Sequence, residues 1–157
     1  VLFIENLPNY WLPGPPPASG LRIPIGQAGV TREGSDVTVI AYSRIHNEAL
    51  AAVGLAAEKG VSAELIDLRS ISPWDKETVL ASARKTGRVL IAHEAVKEFG
   101  AGAEIATVIN HALFGQLKKP IERLGGAYCP VPFSKPLETA FAPDAARIAD
   151  AIIALAQ

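Results

Sequence analysis

RVLIAHEAVKEFGAGAEIA, residues 88–106, decides the fold of this chain. The apolar run RVLIAH is typical of a strand buried on both faces of a sheet, and a turn with Gly100 and Gly102 follows it. A helix is then predicted over about 103–115, because apolar residues recur there at the spacing of one buried helix face. That face consists of Ile105, Val108, Ile109, Ala112 and Leu113.

The same alternation of strand and helix extends in both directions along the chain. VTVIAY and SAELIDL are predicted strands, a helix is predicted over roughly 44–59, and residues 120–125 form the last predicted strand. Ser72 is the expected cap of another helix, with Pro73 as its first residue and Gly87 at its end. Pro143 opens a terminal helix whose inward residues are Ile148, Ile152 and Leu155, and residues 130–143 before it are predicted to be loop.

Alternating strands and helices predict an α/β fold, with three α/β/α layers around a mixed, mainly parallel sheet of about five strands. The one antiparallel strand is AGVTR, residues 28–32, which we expect to form a hairpin with DVTVIAY around a tight turn at Glu33–Ser35.

Composition excludes several classes of function. The net charge of −1 and the absence of a basic stripe argue against nucleic acid, and no apolar run approaches the ~20 residues of a membrane span. The single cysteine, Cys129, excludes an internal disulfide and is expected to be a loop residue. The three histidines share no metal-ligand spacing with each other or with it, and His111 is expected to face solvent.

Residues 1–24 differ from the rest of the chain. VLFIE has the pattern of a strand already under way, so we expect the chain to be part of a longer protein. Six prolines between residues 6 and 24 predict an extended linker, and Tyr10 and Trp11 within it are expected to pack against another domain or a partner.

Polar residues follow the predicted parallel strands. Because the carboxyl ends of parallel strands gather at one edge, where such folds bind ligands, these residues form a candidate ligand or interface cluster. The favoured alternative is that solvent-exposed strand ends simply need polar residues, with ion pairs tying the loops. The candidates are Arg44, Asp67, Arg69, His93 and Glu94, with Tyr42 and Ser43 beside them.

Gly100 and Gly102 match the first two glycines of the G-x-G-x-x-G phosphate-binding motif, but Ile105 occupies the third place. Glu104 in the first helical turn suits the helix dipole and would repel a phosphate. Glu122 lies roughly at the spacing of a ribose-binding acid. A nucleotide site is therefore a weak alternative, and no catalytic, cofactor-binding or metal-binding residue is predicted.

Five segments in order resemble the carboxyl-terminal part of the beta subunit of thiamine-diphosphate-dependent 2-oxoacid dehydrogenases, the pyruvate dehydrogenase type. The resemblance covers essentially the whole chain and implies the fold of the transketolase carboxyl-terminal domain. The segments are VLFIEN, IPIGQAGVTREGSDVTVIAYSR, IDLRSISPWDKET, HEAVKEFGAGAEIA and CPVPFSKPLE.

The resemblance also implies a division of labour. Residues 1–24 would be the end of a pyrimidine-binding domain and its linker, and residues 25–157 the transketolase carboxyl-terminal domain. Thiamine diphosphate and Mg²⁺ would be held by other parts of the full enzyme and not by this chain, which alone would be inactive. Its role would be assembly with an alpha subunit and a second beta subunit in a heterotetramer, and docking to the acyltransferase core.

The full complex would be an oxidoreductase that decarboxylates pyruvate and transfers the acyl group to a lipoyl group, in the bacterial cytoplasm or the mitochondrial matrix. Branched-chain 2-oxoacids or acetoin are alternative substrates, since relatives acting on them share most of these segments. A small anion- or nucleotide-binding α/β module is the alternative of another class.

Overall fold

The computed structural model describes all 157 residues, Val1–Gln157. The five strands are β1 (Gly29–Arg32), β2 (Val37–Ala41), β3 (Ala63–Asp67), β4 (Val89–Val96) and β5 (Glu122–Gly126). The five α-helices are α1 (Arg44–Glu58), α2 (Lys76–Thr86), α3 (Ala101–Ala112), α4 (Lys135–Phe141) and α5 (Ala145–Ala156), and a short 3₁₀ helix spans Leu7–Trp11.

The strands form one sheet in the order β1-β3-β2-β4-β5. β2, β3, β4 and β5 are parallel, and β1 runs antiparallel along the edge of β3. The predicted mixed five-stranded sheet is therefore confirmed. The predicted antiparallel direction of β1 is right, but the predicted hairpin is wrong because β1 pairs with β3 and not with β2.

The turn between β1 and β2 explains that difference. The backbone amides of Ser35 and Asp36 both donate to the carbonyl of Ser62, at distances of 3.0 and 2.8 Å, just before β3 begins. A Cβ on Gly34 would overlap the backbone of Ala63, the first residue of β3. The turn therefore crosses directly over the amino-terminal end of β3. Residues 33–36 thus connect β1 to β2 across the intervening β3. The distance is roughly 10 Å, which four residues can span.

Alternate side chains of the buried strands supply two cores, one on each face of the sheet. Val37, Val39 and Ala41 of β2 pack with α1 and α5 on one face. Thr38 and Ile40 point to the other face, where Ile40 packs with apolar residues of α2 and α3. The sheet is therefore the middle of the three predicted layers.

Several predicted boundaries differ from the structure. Asp75, not Ser72, caps α2: its carboxylate accepts from the amide of Thr78 at 3.0 Å and from the Thr78 hydroxyl at 2.8 Å. Residues 130–143 are not all loop, because α4 forms there with Pro136 in its first turn, where the missing amide would be unpaired in any case. Residues 1–5 form no strand, since their backbone groups make no hydrogen bonds to another segment.

Other helix features agree with prediction. Gly87 closes α2 with φ 70°, and Ile148, Ile152 and Leu155 of α5 are buried. Ile105 and Ile109 of α3, and Leu113 just after its last residue, point inward as expected. Ala112 is exposed, and Gly102 takes a place on the buried face. His111 and Cys129 are exposed, as expected.

Candidate functional site at the carboxyl edge of the sheet

Three parallel strands end side by side and deliver the predicted candidates to one edge. β2 leads into Ser43 and Arg44, β3 ends at Asp67, and β4 carries His93 and Glu94. After each of these strands one non-glycine residue has a positive φ of 56–57°: Ser43, Arg69 and Phe99. Backbone strain of this kind concentrates at functional sites, which makes this edge the best candidate in the molecule.

Arg44 and Glu94 are brought together directly. The Arg44 Nε donates to Glu94 Oε1 at 3.0 Å, and its Nη1 lies 3.5 Å from Glu48 Oε1, one helical turn further along α1. Glu48 in turn accepts from the backbone amide of Ala145 at 3.2 Å, at the start of α5. Arg44 is thus held between two carboxylates, an arrangement that leaves little free charge for an anionic ligand.

Asp67 and Arg69 form a second pair, with Arg69 Nε 3.3 Å from Asp67 Oδ2. The guanidinium lies over β1, because a Cβ on Gly29 would be only 2.3 Å from Arg69 Nη2. His46, in the first turn of α1, shares a 3.0 Å hydrogen bond with the hydroxyl of Thr31. Burial lowers the pKa of His46, while the charges of Asp67 and Arg69 act on it in opposite directions.

His93 is not part of the exposed cluster. It is fully buried, its Nδ1 lies 2.9 Å from the carbonyl oxygen of Ala95, and its ring stacks on Tyr42 with 6.1 Å between centroids. Its Nε2 has no hydrogen-bond partner. Burial lowers the His93 pKa, and the charge of Arg123 adds to this effect. We therefore treat His93 as a neutral imidazole beneath the edge.

Gly100, at the N-cap of α3, and Gly102, in its first turn, both lie against that imidazole. A Cβ would lie 2.5 Å from His93 Nε2 at Gly102 and 3.0 Å from His93 Cε1 at Gly100. Neither glycine has a positive φ, so close packing explains both: Gly102 packs on His93, and Gly100 packs mainly on the backbone carbonyl oxygen of Val96 as well as on His93. The space that a phosphate would need beside these glycines holds an imidazole ring, and the turn does not fit a nucleotide phosphate or the diphosphate of thiamine diphosphate.

The edge includes residues that the sequence prediction missed. Asn6 donates through Nδ2 to Glu94 Oε2 at 3.1 Å, and Asn47 donates to Asn9 Oδ1 at 3.1 Å. Glu48 was discoverable, because its position four residues after Arg44 is typical of a helical ion pair. The linker asparagines carried no signal in the sequence. Burial and the charge of Glu94 raise the pKa of Tyr42.

Two further features bear on ligands. No three His, Cys, Asp or Glu side chains converge in a way that could hold a metal ion. A surface depression of about 410 Å³ lies beside the start of α2, between Ile25 and Glu77, away from the candidate cluster. No helix of this structure has the length and apolar character needed to cross a membrane.

A three-layer α/β domain, with four parallel strands and one antiparallel edge strand, is the class that this fold and edge define. Within it, the chain belongs to the transketolase C-terminal domain family, whose model matches residues 26–148. This confirms the family and the fold that the five sequence segments implied.

Named relatives agree with that assignment. The chain is 38% identical over 151 residues to the beta subunit of acetoin:2,6-dichlorophenolindophenol oxidoreductase from Cupriavidus necator, covering 96% of this chain and 45% of that protein. It is 42% identical over 147 residues to the mitochondrial pyruvate dehydrogenase E1 beta subunit of Pisum sativum, covering 91% of this chain and 41% of that protein. The chain thus spans less than half the length of these relatives.

A third relative and one solved structure complete the comparison. The mitochondrial 2-oxoisovalerate dehydrogenase beta subunit of Dictyostelium discoideum is 47% identical over 117 residues, which cover 74% of this chain and 32% of that protein. A split-gene transketolase, described as an inactive beta4 tetramer, superposes with a TM-score of 0.71 at 25% identity, over 89% of this chain and 45% of that one.

Proposed function

We propose that this chain is the carboxyl-terminal part of the beta subunit of a 2-oxoacid dehydrogenase, an oxidoreductase of the bacterial cytoplasm or mitochondrial matrix. The observation that carries the proposal is identity of 38–47% to beta subunits of acetoin, pyruvate and branched-chain dehydrogenases over most of this chain. Pyruvate is the substrate we favour. Branched-chain 2-oxoacids and acetoin stay open as alternatives, because the substrate pocket would lie in another part of the enzyme.

Within that enzyme the chain would serve assembly and not chemistry. We propose residues 1–24 as the end of a preceding domain and its linker, and residues 25–157 as an interface domain for an alpha subunit, a second beta subunit and the acyltransferase core. Large exposed apolar side chains support this proposal. They include Leu2, Phe3, Trp11, Phe99, Tyr128 and Phe133.

Thiamine diphosphate would supply the decarboxylation chemistry of the full enzyme. The residues of this chain do not fit its diphosphate or its magnesium ion, since Gly100 and Gly102 pack on His93 and no metal-binding group of side chains is formed. We therefore assign its binding to other regions and derive no catalytic step here.

A regulatory anion site at the carboxyl edge is the competing proposal. The arginines there argue against it, because Arg44 is paired with Glu94 and Glu48, and Arg69 with Asp67. Pairing of each guanidinium with a carboxylate favours a role in holding the loops together. If a site existed, the chain would bind phosphate and Arg69→Ala would weaken that binding. We expect the unaltered chain to bind no phosphate, so that Arg69→Ala changes nothing.

Isothermal titration calorimetry tests the assembly proposal directly. We expect the chain to release no heat of binding with thiamine diphosphate and Mg²⁺, while the complete beta subunit together with its alpha subunit binds both. Micromolar binding by residues 1–157 alone would place the cofactor on this domain and overturn the proposal.

A further inference from the structure

Glu64 is the only carboxylate that is buried in this domain. It lies on β3 with a side chain that is 3% exposed, and it points to the face of the sheet that α2 covers. Thr38 is its neighbour in register on β2. A buried charge costs free energy unless it is paired, so the partners of Glu64 decide what this charge does in the fold.

Two distant parts of the chain supply those partners. The Lys85 ammonium, in the last turn of α2, donates to Glu64 Oε2 and also to Glu33 Oε2, the latter at 3.1 Å. The backbone amide of Gly34 donates to the same Glu64 oxygen at 3.4 Å. Burial alone would raise the pKa of Glu64, but hydrogen bonds, led by that from Lys85, outweigh burial and lower this pKa. The carboxylate is therefore charged at neutral pH.

Hydroxyl groups extend this contact beneath α2. The Thr38 hydroxyl shares hydrogen bonds with that of Ser82 at 2.7 Å and with that of Thr86 at 2.8 Å, and all three residues are buried. These hydroxyls, Glu64 and Lys85 make up the Glu64 layer. No buried oxygen of the layer lacks a partner, and a fully satisfied polar network of this kind rigidifies one arrangement of the elements that it joins.

The edge strand β1 is the element that depends on this layer. β1 contributes no side chain to either apolar core, so apolar burial within the domain does not set its register as it does for the inner strands. Polar contacts hold β1 instead, at both ends. At one end the amide of Ala28 donates to Asp75 at 3.0 Å, and at the other the Glu33–Gly34 turn is held by Lys85 and Glu64.

The Glu64 layer also fits the crossed connection better than the hairpin that a short turn favours. In a hairpin, the turn would lead directly from β1 to a neighbouring β2 and would not pass over the end of β3. The Gly34 amide would then not reach Glu64, and this buried carboxylate would lose a donor. A buried ionic group can select one arrangement among alternatives in this way.

We propose that Glu64 and Lys85 form a clamp that docks the Glu33–Gly34 turn over β3 and so selects the partner and register of β1. The parallel strands are held by two apolar cores and do not need the clamp. Its loss therefore loosens β1 and the turn while β2, β3 and β4 stay folded. Because Gly29 of β1 lies under the Arg69 guanidinium, the clamp also fixes the strand beneath one ion pair of the carboxyl edge. This holds whichever enzyme the chain belongs to.

Replacing both partners by methionine tests the clamp, because apolar side chains of similar length in place of a buried ion pair often leave global stability unchanged. In Glu64→Met/Lys85→Met, deuterium exchange followed by NMR should be about tenfold faster for the amides of β1 and for those of Ser35 and Asp36, which donate to Ser62. The reason is the loss of charge-assisted hydrogen bonds at the turn. Amides of β4 report any change in global stability, so the ratio of β1 exchange to β4 exchange isolates the clamp.

Lys97→Met/Glu122→Met is the matched control, since it removes an exposed Lys–Glu pair, 3.6 Å apart, between the end of β4 and β5. It should leave that ratio unchanged. Glu64→Gln keeps the shape of the side chain and an oxygen for the Gly34 amide but removes the charge, and it should raise the ratio by a smaller factor. An unchanged ratio in both variants at position 64 would overturn the proposal. So would an equal rise in β1 and β4, because β1 would then open only when the whole domain unfolds.

Discussion

The sequence and the structure give different reasons for a glycine at position 102. In the sequence Gly102 matches a phosphate-binding motif, whereas in the structure it leaves room for the His93 ring. Its backbone is ordinary, and the steric limit comes from His93 Nε2, 2.5 Å from where a Cβ would lie. We predict that Gly102→Ala lowers the free energy of unfolding by about 1–3 kcal/mol, the usual cost of overpacking. Urea denaturation monitored by circular dichroism measures this change.

Gly54→Ala is the matched control, because Gly54 lies within α1 and a Cβ added there would meet no neighbouring group within 4 Å. It should be neutral or raise stability by up to about 1 kcal/mol through helix propensity. Equal effects at the two positions would mean that His93 moves aside at no cost, contrary to the packing described above.

His93 should make the domain sensitive to mild acid. Burial holds its pKa below the ordinary value, so below about pH 6.5 the unfolded chain binds a proton that the folded chain does not. Stability is therefore fully present above that pH and is lost as the pH falls towards the folded pKa. The groups facing the ring are Tyr42, stacked on it, and the nearby positive charge of Arg123.

Urea denaturation between pH 7.5 and 5 measures that loss. His93→Gln should flatten the pH dependence, and His46→Gln should flatten it in part, because burial also lowers the pKa of His46. His111→Gln is the control for the removal of a histidine as such, since His111 is exposed on the surface. A slope that survives in the double variant at positions 46 and 93 would contradict this assignment.

The residues at the strand ends were partly predictable. Arg44, Asp67, Arg69 and Glu94 reach one edge because strand ends in a parallel sheet must do so, and this much follows from the sequence pattern. The separation of His93 from them did not follow, since it depends on three glycines that approach the ring from the start of α3 and from β5. Contacts between distant parts of the chain leave no local pattern.

At the scale of elements, α2 offers a direct comparison of two possible caps. Asp75 accepts from Thr78 and also from the amide of Ala28 at 3.0 Å, so it joins the start of α2 to the segment before β1. We predict that Asp75→Ala costs about 1–2 kcal/mol of unfolding free energy, as lost helix caps do. Ser72→Ala should change stability by less than about 0.5 kcal/mol. Thermal denaturation of both variants decides between them.

Asp75 should also contribute to acid sensitivity. Burial by itself raises its pKa, but hydrogen bonds from Thr78 and Ala28 outweigh burial and hold the pKa below its ordinary value. The stability that Asp75 provides is present above the unfolded pKa of about 3.9 and is lost as the pH falls through the folded value. The difference between the unaltered chain and Asp75→Ala should therefore shrink below about pH 4, which urea denaturation at acid pH would measure.

Two elements show why local pattern alone was insufficient. A short turn between two apolar strands usually predicts a hairpin, yet the turn before β2 crosses β3, whose sequence lies some thirty residues later. α4 was hidden by Pro136 and its neighbouring prolines, which suggest loop, although Pro136 itself is tolerated in the first helical turn. The pairing of β1 was decided by a strand distant in sequence. At α4, the same proline is compatible with both a loop and the first turn of a helix.

At the scale of the whole molecule, the fold separates a buried sheet from a surface that retains many large apolar side chains. Phe133 and Phe114 are both exposed, but Phe133 follows the carboxyl end of β5, whereas Phe114 follows the end of α3. Large exposed apolar side chains mark interaction sites where they cluster. Phe133 is uncovered in the chain by itself, and its use in assembly is the proposal that remains to be tested.

Sedimentation velocity of the chain at increasing concentration tests that use. We predict concentration-dependent association, which Phe133→Ser should weaken by about tenfold or more, because truncating one anchoring aromatic commonly costs over 1 kcal/mol of binding. Phe114→Ser is the matched control, since it removes another exposed phenyl ring from a different part of the surface and should leave association unchanged. Equal weakening by both variants would indicate nonspecific contact between apolar side chains. A strict monomer at all concentrations would argue against self-association through the Phe133 loop and leave a different subunit as its partner.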